Sequence, residues 1–127
     1  MQKIYRLLLA TFSTGVLSMQ AYGAAGASAE VVEVVTFKLQ PGISASEFRA
    51  VDQAVEKQHV AKQPGFVFRE SVAGDNGEWL VIVHWRSAKD ADASMASFQT
   101  APAAAEFMSK IDAATMSMKR YGNILPH

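Results

Sequence analysis

Cysteine is missing from the chain altogether. That excludes disulfide bracing, a thiol nucleophile and any thiolate metal site. A surplus of one charge is missing too, since 12 Lys and Arg face 12 Asp and Glu. No basic face of the size nucleic-acid binding needs is therefore available. The G-x-S-x-G nucleophile elbow, the glycine-rich phosphate loop and the G-x-G-x-x-G fingerprint are absent, which disfavours covalent hydrolysis and nucleotide binding. Histidine is scarce, with 3 in the whole chain. Two internal histidines without a carboxylate triplet make a poor zinc site, because zinc usually takes three or four protein ligands. Neither a metal nor a cofactor is expected.

What is present begins with a targeting pattern. Met1-Gln2-Lys3-Ile4-Tyr5-Arg6 is a short basic start, and Leu7 to Leu17 is an apolar run shorter than the roughly 20 residues that span a bilayer. Small residues follow, and Ala27-Ser28-Ala29 has the A-x-A form of a cleavage site, with Ala21-Tyr22-Gly23 a weaker alternative. Residues 1–29 read as a secretory signal peptide, against the rival of an uncleaved anchor, which the small-residue tail disfavours. The product would be secreted, periplasmic in a Gram-negative cell, with no membrane association after cleavage. Removal takes Lys3 and Arg6 away and leaves residues 30–127 slightly acidic. There is room in them for one domain, small enough that pairing with a second copy would add useful burial.

The chain is organised around Glu78 to Arg86, a run rich in β-branched and aromatic residues entered from Asn76-Gly77, hence a strand leaving a tight hairpin. Trp79, Val81, Val83 and Trp85 fall on one face, Leu80, Ile82 and His84 on the other. A strand apolar on both faces is covered on both and belongs in the middle of a sheet. Val31 to Leu39 is a first strand ended by Pro41-Gly42. Ser44 with Glu47 forms a capping box, with Ile43 and Phe48 as the hydrophobic staple. Phe48, Val51 and Val55 then mark a helix that runs to Gln63-Pro64-Gly65. Phe66 to Val72 is the second strand, hairpinned to the third. Ser87 and Asp90 open another helix with Ala91, Met95 and Phe98 inside. Pro102 starts a further helical piece whose apolar face is Ala104, Phe107, Met108 and Ile111. Thr115 to Tyr121 is the last strand. The order predicts an α+β, ferredoxin-like split βαββαβ domain, a four-stranded antiparallel sheet with its helices on one face. The crossover rule puts the first and third strands in the centre. The opposite sheet face stays apolar and calls for a partner, most simply a twofold-related copy forming a homodimer through that open face.

Three segments carry a family resemblance: Phe37-Lys38-Leu39-Gln40-Pro41-Gly42-Ile43, Gln63-Pro64-Gly65-Phe66, and His84-Trp85-Arg86-Ser87 followed by Phe98, Thr100 and Pro102. They resemble the antibiotic-biosynthesis-monooxygenase-like (ABM) proteins of the dimeric α/β-barrel superfamily, over roughly Val32 to Tyr121. The resemblance implies a dimer with a pocket between sheet and helices in each protomer. It also implies an activity like that of cofactor-independent monooxygenases on quinol or polyphenol aromatics. Two other readings of the same fold are a non-catalytic ligand-binding or stress-related module and, more weakly, haem handling. Relatives often place histidines around the break in the second helical region; here those positions are Phe98 and Ala103, which weighs against haem.

His59 and His84 are the candidate acid–base residues. On a continuing helix His59 falls on the inner stripe and would look into the pocket; its plainer role is a helix-end histidine bonded to a carbonyl. His84 approaches His59 if its set faces the helices, and otherwise sits at the dimer interface. Trp79 and Trp85 could form an aromatic wall for a flat ligand, or simply core. Phe37 and Arg86 complete the candidate pocket. Met95, Met108, Met116 and Met118 read as packing filler, and Glu33, Arg69 and Glu70 as strand charges paired across the sheet.

Overall fold

A computed structural model describes residues 31–122; the expected signal peptide lies outside the described residues. The elements are β1 (Val31–Leu39), α1 (Ala45–Gln58), a 3-10 turn (Val60–Lys62), β2 (Phe66–Ala73), β3 (Glu78–Trp85), α2 (Ala88–Phe98), α3 (Pro102–Ser109) and β4 (Ile111–Gly122). The sheet order is β2-β3-β1-β4, with every neighbouring pair antiparallel. This is the split βαββαβ arrangement with β1 and β3 in the centre, as expected. Among the described residues no helix is long and apolar enough to cross a membrane.

Local signals set the boundaries. Ser44 accepts a hydrogen bond from the Glu47 amide at 3.1 Å, and Ser87 accepts one from the Asp90 amide at 3.0 Å, satisfying donors that would otherwise be orphaned at each helix start. Asn76 and Gly77 both take positive φ, 56° and 78°, the geometry that matches a tight turn to strand twist. Gly65 also has positive φ, and a Cβ there would lie 2.3 Å from the Asp90 carboxylate. Gly65 thus lets the turn before β2 lie against the start of α2.

Two boundaries differ from the sequence reading. The first helix stops at Gln58, because His59 adopts φ −133°, and the chain continues as one 3-10 turn. Ile111, expected on a helix face, instead opens β4 opposite Leu39. The β1–β4 ladder slips between Thr36 and Lys38, where Thr115 Oγ1 accepts from the Lys38 amide and donates to the Asp112 carbonyl. Side-chain bonds at this bulge replace the missing ladder bonds.

The core lies between the sheet and the helices. Phe48 is fully buried and meets Phe37, Trp79 and Phe107 with ring centroids 5.7, 5.0 and 5.1 Å away. Such ring contacts add about 0.5–1.5 kcal/mol each beyond area burial. On the opposite sheet face, Val32, Val34, Leu80 and Ile82 are only half-buried, while Phe68, Val72 and Tyr121 are exposed. Register fixes this face, since Val32 pairs with His84 and Tyr121, and Phe68 with His84.

Candidate functional site

A cavity of about 490 Å³ opens between the sheet and the helices. Val35, Phe37, Val81, Val83 and Trp85 form its sheet side. Met95 and Phe98 of α2, with Ala104, Phe107 and Met108 of α3, form its helical side. Met116 and Met118 close it from β4, Met116 from the unpaired stretch at the bulge. The volume falls within the usual range for small-molecule pockets, and the lining is predominantly apolar. The four methionines read as filler thus share one cavity wall. Their unbranched, polarizable side chains can adapt to a ligand's outline.

Two ion clusters back this apolar space. Glu33, on β1, is 5% exposed and lines the cavity. Its Oε1 accepts from Trp85 Nε1 and its Oε2 from Arg120 Nε, both at 2.8 Å. Arg120 stands directly opposite Glu33 on β4 and also donates to Asp92 of α2. The bond to Asp92, then Glu33, raises the Arg120 pKa further against its desolvation. The second cluster centres on Arg69, which also lines the cavity. It donates to Asp52 at 2.6 and 3.2 Å and to Glu56 at 3.1 Å. Asp52 and Glu56 are one turn apart on α1, so both reach the same guanidinium. Glu33 therefore has the cross-strand partner expected of it, whereas Arg69 pairs with a helix and not across the sheet.

The six candidate residues separate. Phe37 and Trp85 line the cavity. Trp79 does not: it is buried in the core with its ring edge-on to Phe48 of α1. Arg86 does not line it either, because it follows the last residue of β3 and is exposed. His84 lies on the open sheet face, its ring edge-on to Phe68 at 5.6 Å. His59 is on the helix side but behind Phe98, whose ring meets its own at 5.7 Å. The two histidines therefore share no cavity.

His59 is held by a small network. Its Nε2 lies 2.8 Å from Ser97 Oγ, while Ser97 donates to Gln63 Oε1 or to the Ser94 carbonyl, and Gln63 Nε2 donates to the His59 carbonyl. With the hydroxyl hydrogen used this way, Nε2–H donates to Ser97, and Nδ1 carries a free lone pair. That Nδ1 is buried without a hydrogen-bond partner among the described residues. Burial lowers the His59 pKa below its ordinary value, so the ring is neutral and its lone pair available at neutral pH.

No protein-family profile and no curated protein matches the sequence. Solved structures do. SnoaB, a cofactor-independent oxygenase from Streptomyces nogalater, superposes with a TM-score of 0.63 at 19% identity, over 78% of this chain and 97% of its own. A Bordetella bronchiseptica protein provisionally named an antibiotic biosynthesis monooxygenase gives 0.61 at 13% identity, over 77% and 100%. Rv0793 from Mycobacterium tuberculosis gives 0.56 at 15% identity, over 76% and 96%. This chain shares the fold of these proteins. The likeness is one of backbone, and a shared fold does not by itself carry an activity. Among the described residues no His, Cys or Tyr lines the cavity. Among the described residues, no group of three or more His, Cys, Asp or Glu is placed to hold a metal.

Proposed function

We propose that this is an exported, homodimeric small-molecule domain that binds a flat aromatic of the quinol or polyphenol type and oxygenates it without a cofactor. The apolar cavity walled by Phe37, Trp85, Phe98 and Phe107 carries the reading. An electron-rich aromatic in its deprotonated form can react with dioxygen directly. The protein then supplies a site poor in water and a base. His59 is the histidine on the cavity side, neutral and with an Nδ1 unpartnered among the described residues, one ring away behind Phe98. A movement of Phe98 would connect it to the ligand. His84 faces the other side of the sheet and belongs to the proposed dimer interface.

Oxygen uptake with a panel of quinols tests the activity, with His59→Ala and His84→Ala compared. On this reading His59→Ala slows uptake and His84→Ala leaves it unchanged. Rates equal to the buffer blank for the wild type would reject oxygenation. A second reading, a non-catalytic binding module, is favoured by the separation of both histidines from the cavity wall. It predicts quenching of tryptophan fluorescence by the same quinols with no oxygen consumed. Export is tested by mass spectrometry of the protein recovered outside the cytoplasm, which should begin at Glu30.

A further inference from the structure

We propose that Glu33 sets the selectivity of the cavity at entry, accepting a hydrogen bond from an aromatic that enters neutral, before any base takes its proton, and turning away aromatics that are already anionic. The proposal rests on the reading of the cavity as a ligand site and assigns one residue within it. Glu33 is the carboxylate in a wall that is otherwise almost wholly apolar. A carboxylate offers about four lone-pair positions, and Trp85 Nε1 and Arg120 Nε occupy one on each oxygen. One position on each oxygen is left for a ligand. The indole of Trp85 is bonded to Glu33 and forms the adjoining wall. A flat ring stacked beside Trp85 therefore brings the substituents on its edge to the carboxylate.

Charge decides what those substituents can be. Arg69 is the cation among the lining residues, and its guanidinium is shared by Asp52 and Glu56. Arg120 is shared in the same way by Glu33 and Asp92. In each cluster two carboxylates face one guanidinium, so neither has positive charge to spare for a ligand. An entering carboxylate would lose its hydration and meet Glu33 where the dielectric is low. An O–H donor on a neutral ring meets a carboxylate salt-bridged to Arg120 there, the stronger kind of hydrogen bond. Ser94 and Gln99, the other polar lining residues, are neutral and do not alter this balance.

Calorimetric titration at neutral pH with naphthalene, naphthol and naphthoate isolates the effect, since the ring is constant and only the substituent changes. The wild type should bind naphthol about tenfold or more tightly than naphthoate, with naphthalene between them. Glu33→Gln keeps the shape and an acceptor for Trp85 while removing the charge. It should bring naphthoate to within about threefold of naphthol. Arg120→Gln, a substitution outside the cavity wall, leaves Glu33 without its cation and should widen the gap. That variant acts with the opposite sign, so a misfolded Glu33→Gln does not rescue the idea. Equal binding of all three probes by the wild type, or an unchanged ratio in both variants, overturns the role of Glu33 while leaving the cavity as a ligand site. If the wild type takes up none of the three, the cavity reading falls and the proposal with it.

Discussion

Replacing Arg69 by methionine should be among the most damaging single changes in the domain. The side chains of Arg69 and Asp52 are 3% and 6% exposed and share bonds of 2.6 and 3.2 Å. At 2.6 Å the gross attraction is roughly 6 kcal/mol at an effective dielectric constant of about 20. Much of it offsets the dehydration of the two ions, so the pair itself is worth far less. Removing Arg69 alone leaves that dehydration on Asp52 uncompensated, which costs about 3–5 kcal/mol. Glu56, with a side chain 37% exposed, reaches water and adds little. For a domain of this size the loss corresponds to a fall in Tm of about 15–30 °C. Thermal unfolding followed by far-UV circular dichroism, together with urea titration, reads it. The double change Arg69→Met with Asp52→Leu should recover most of the loss, because an apolar pair can replace a buried ion pair. A fall of less than about 1 kcal/mol in Arg69→Met would place the cluster with surface ion pairs and refute the reasoning.

The same denaturation assay should show Phe48→Ala losing about 3–5 kcal/mol, since a fully buried ring in contact with three others leaves a cavity none of them can fill. His59 gives a pH dependence. Its folded-state pKa lies below the ordinary 6.5, so the unfolded chain takes up the proton first, and stability falls as pH drops below about 6.5. His59→Gln should flatten that part of the stability–pH curve, and an unchanged slope would show that His59 does not cause it. On the open sheet face, Phe68→Asp should convert the proposed dimer into a folded monomer in sedimentation equilibrium, because Phe68 is 49% exposed beside His84 and would bury its ring only against a partner. A dimer persisting in that variant would count against the open face as the interface.

Signals confined to a few residues were legible in the sequence. Ser44 and Ser87 as caps, Asn76-Gly77 as a turn and Pro102 at a helix start all occur as read. In each, the deciding chemistry lies within about one turn of chain. The alternation along β1 and β3 was legible for the same reason, and with it the sheet order. What misled was extrapolation. The helical stripe was carried past Gln58 onto His59, where the backbone has already left the α conformation, so the ring is buried as expected but faces Phe98 and Ser97. Ile111 matched a helical face as well as a strand, and its pairing with Leu39 depends on a partner 72 residues earlier in the numbering.

The candidate site lay beyond reach for a deeper reason. A central strand in this architecture is apolar on both faces whether the cover is a pair of helices or another copy of the chain, so the pattern of β3 cannot say which face holds the cavity. In the structure the two faces differ most at Glu33. A carboxylate set among Val31, Val35, Phe37 and Leu39 has to find donors if its face is buried, and Glu33 finds them in Trp85 Nε1 and Arg120 Nε of the same sheet. Trp85 belongs to the set with Trp79, Val81 and Val83, not to the set with His84. Glu33 thus shares the Trp85 face, which the structure places under the helices, while His84 lies on the open side. Buried polar groups, more than the histidines, were the informative residues for locating the cavity.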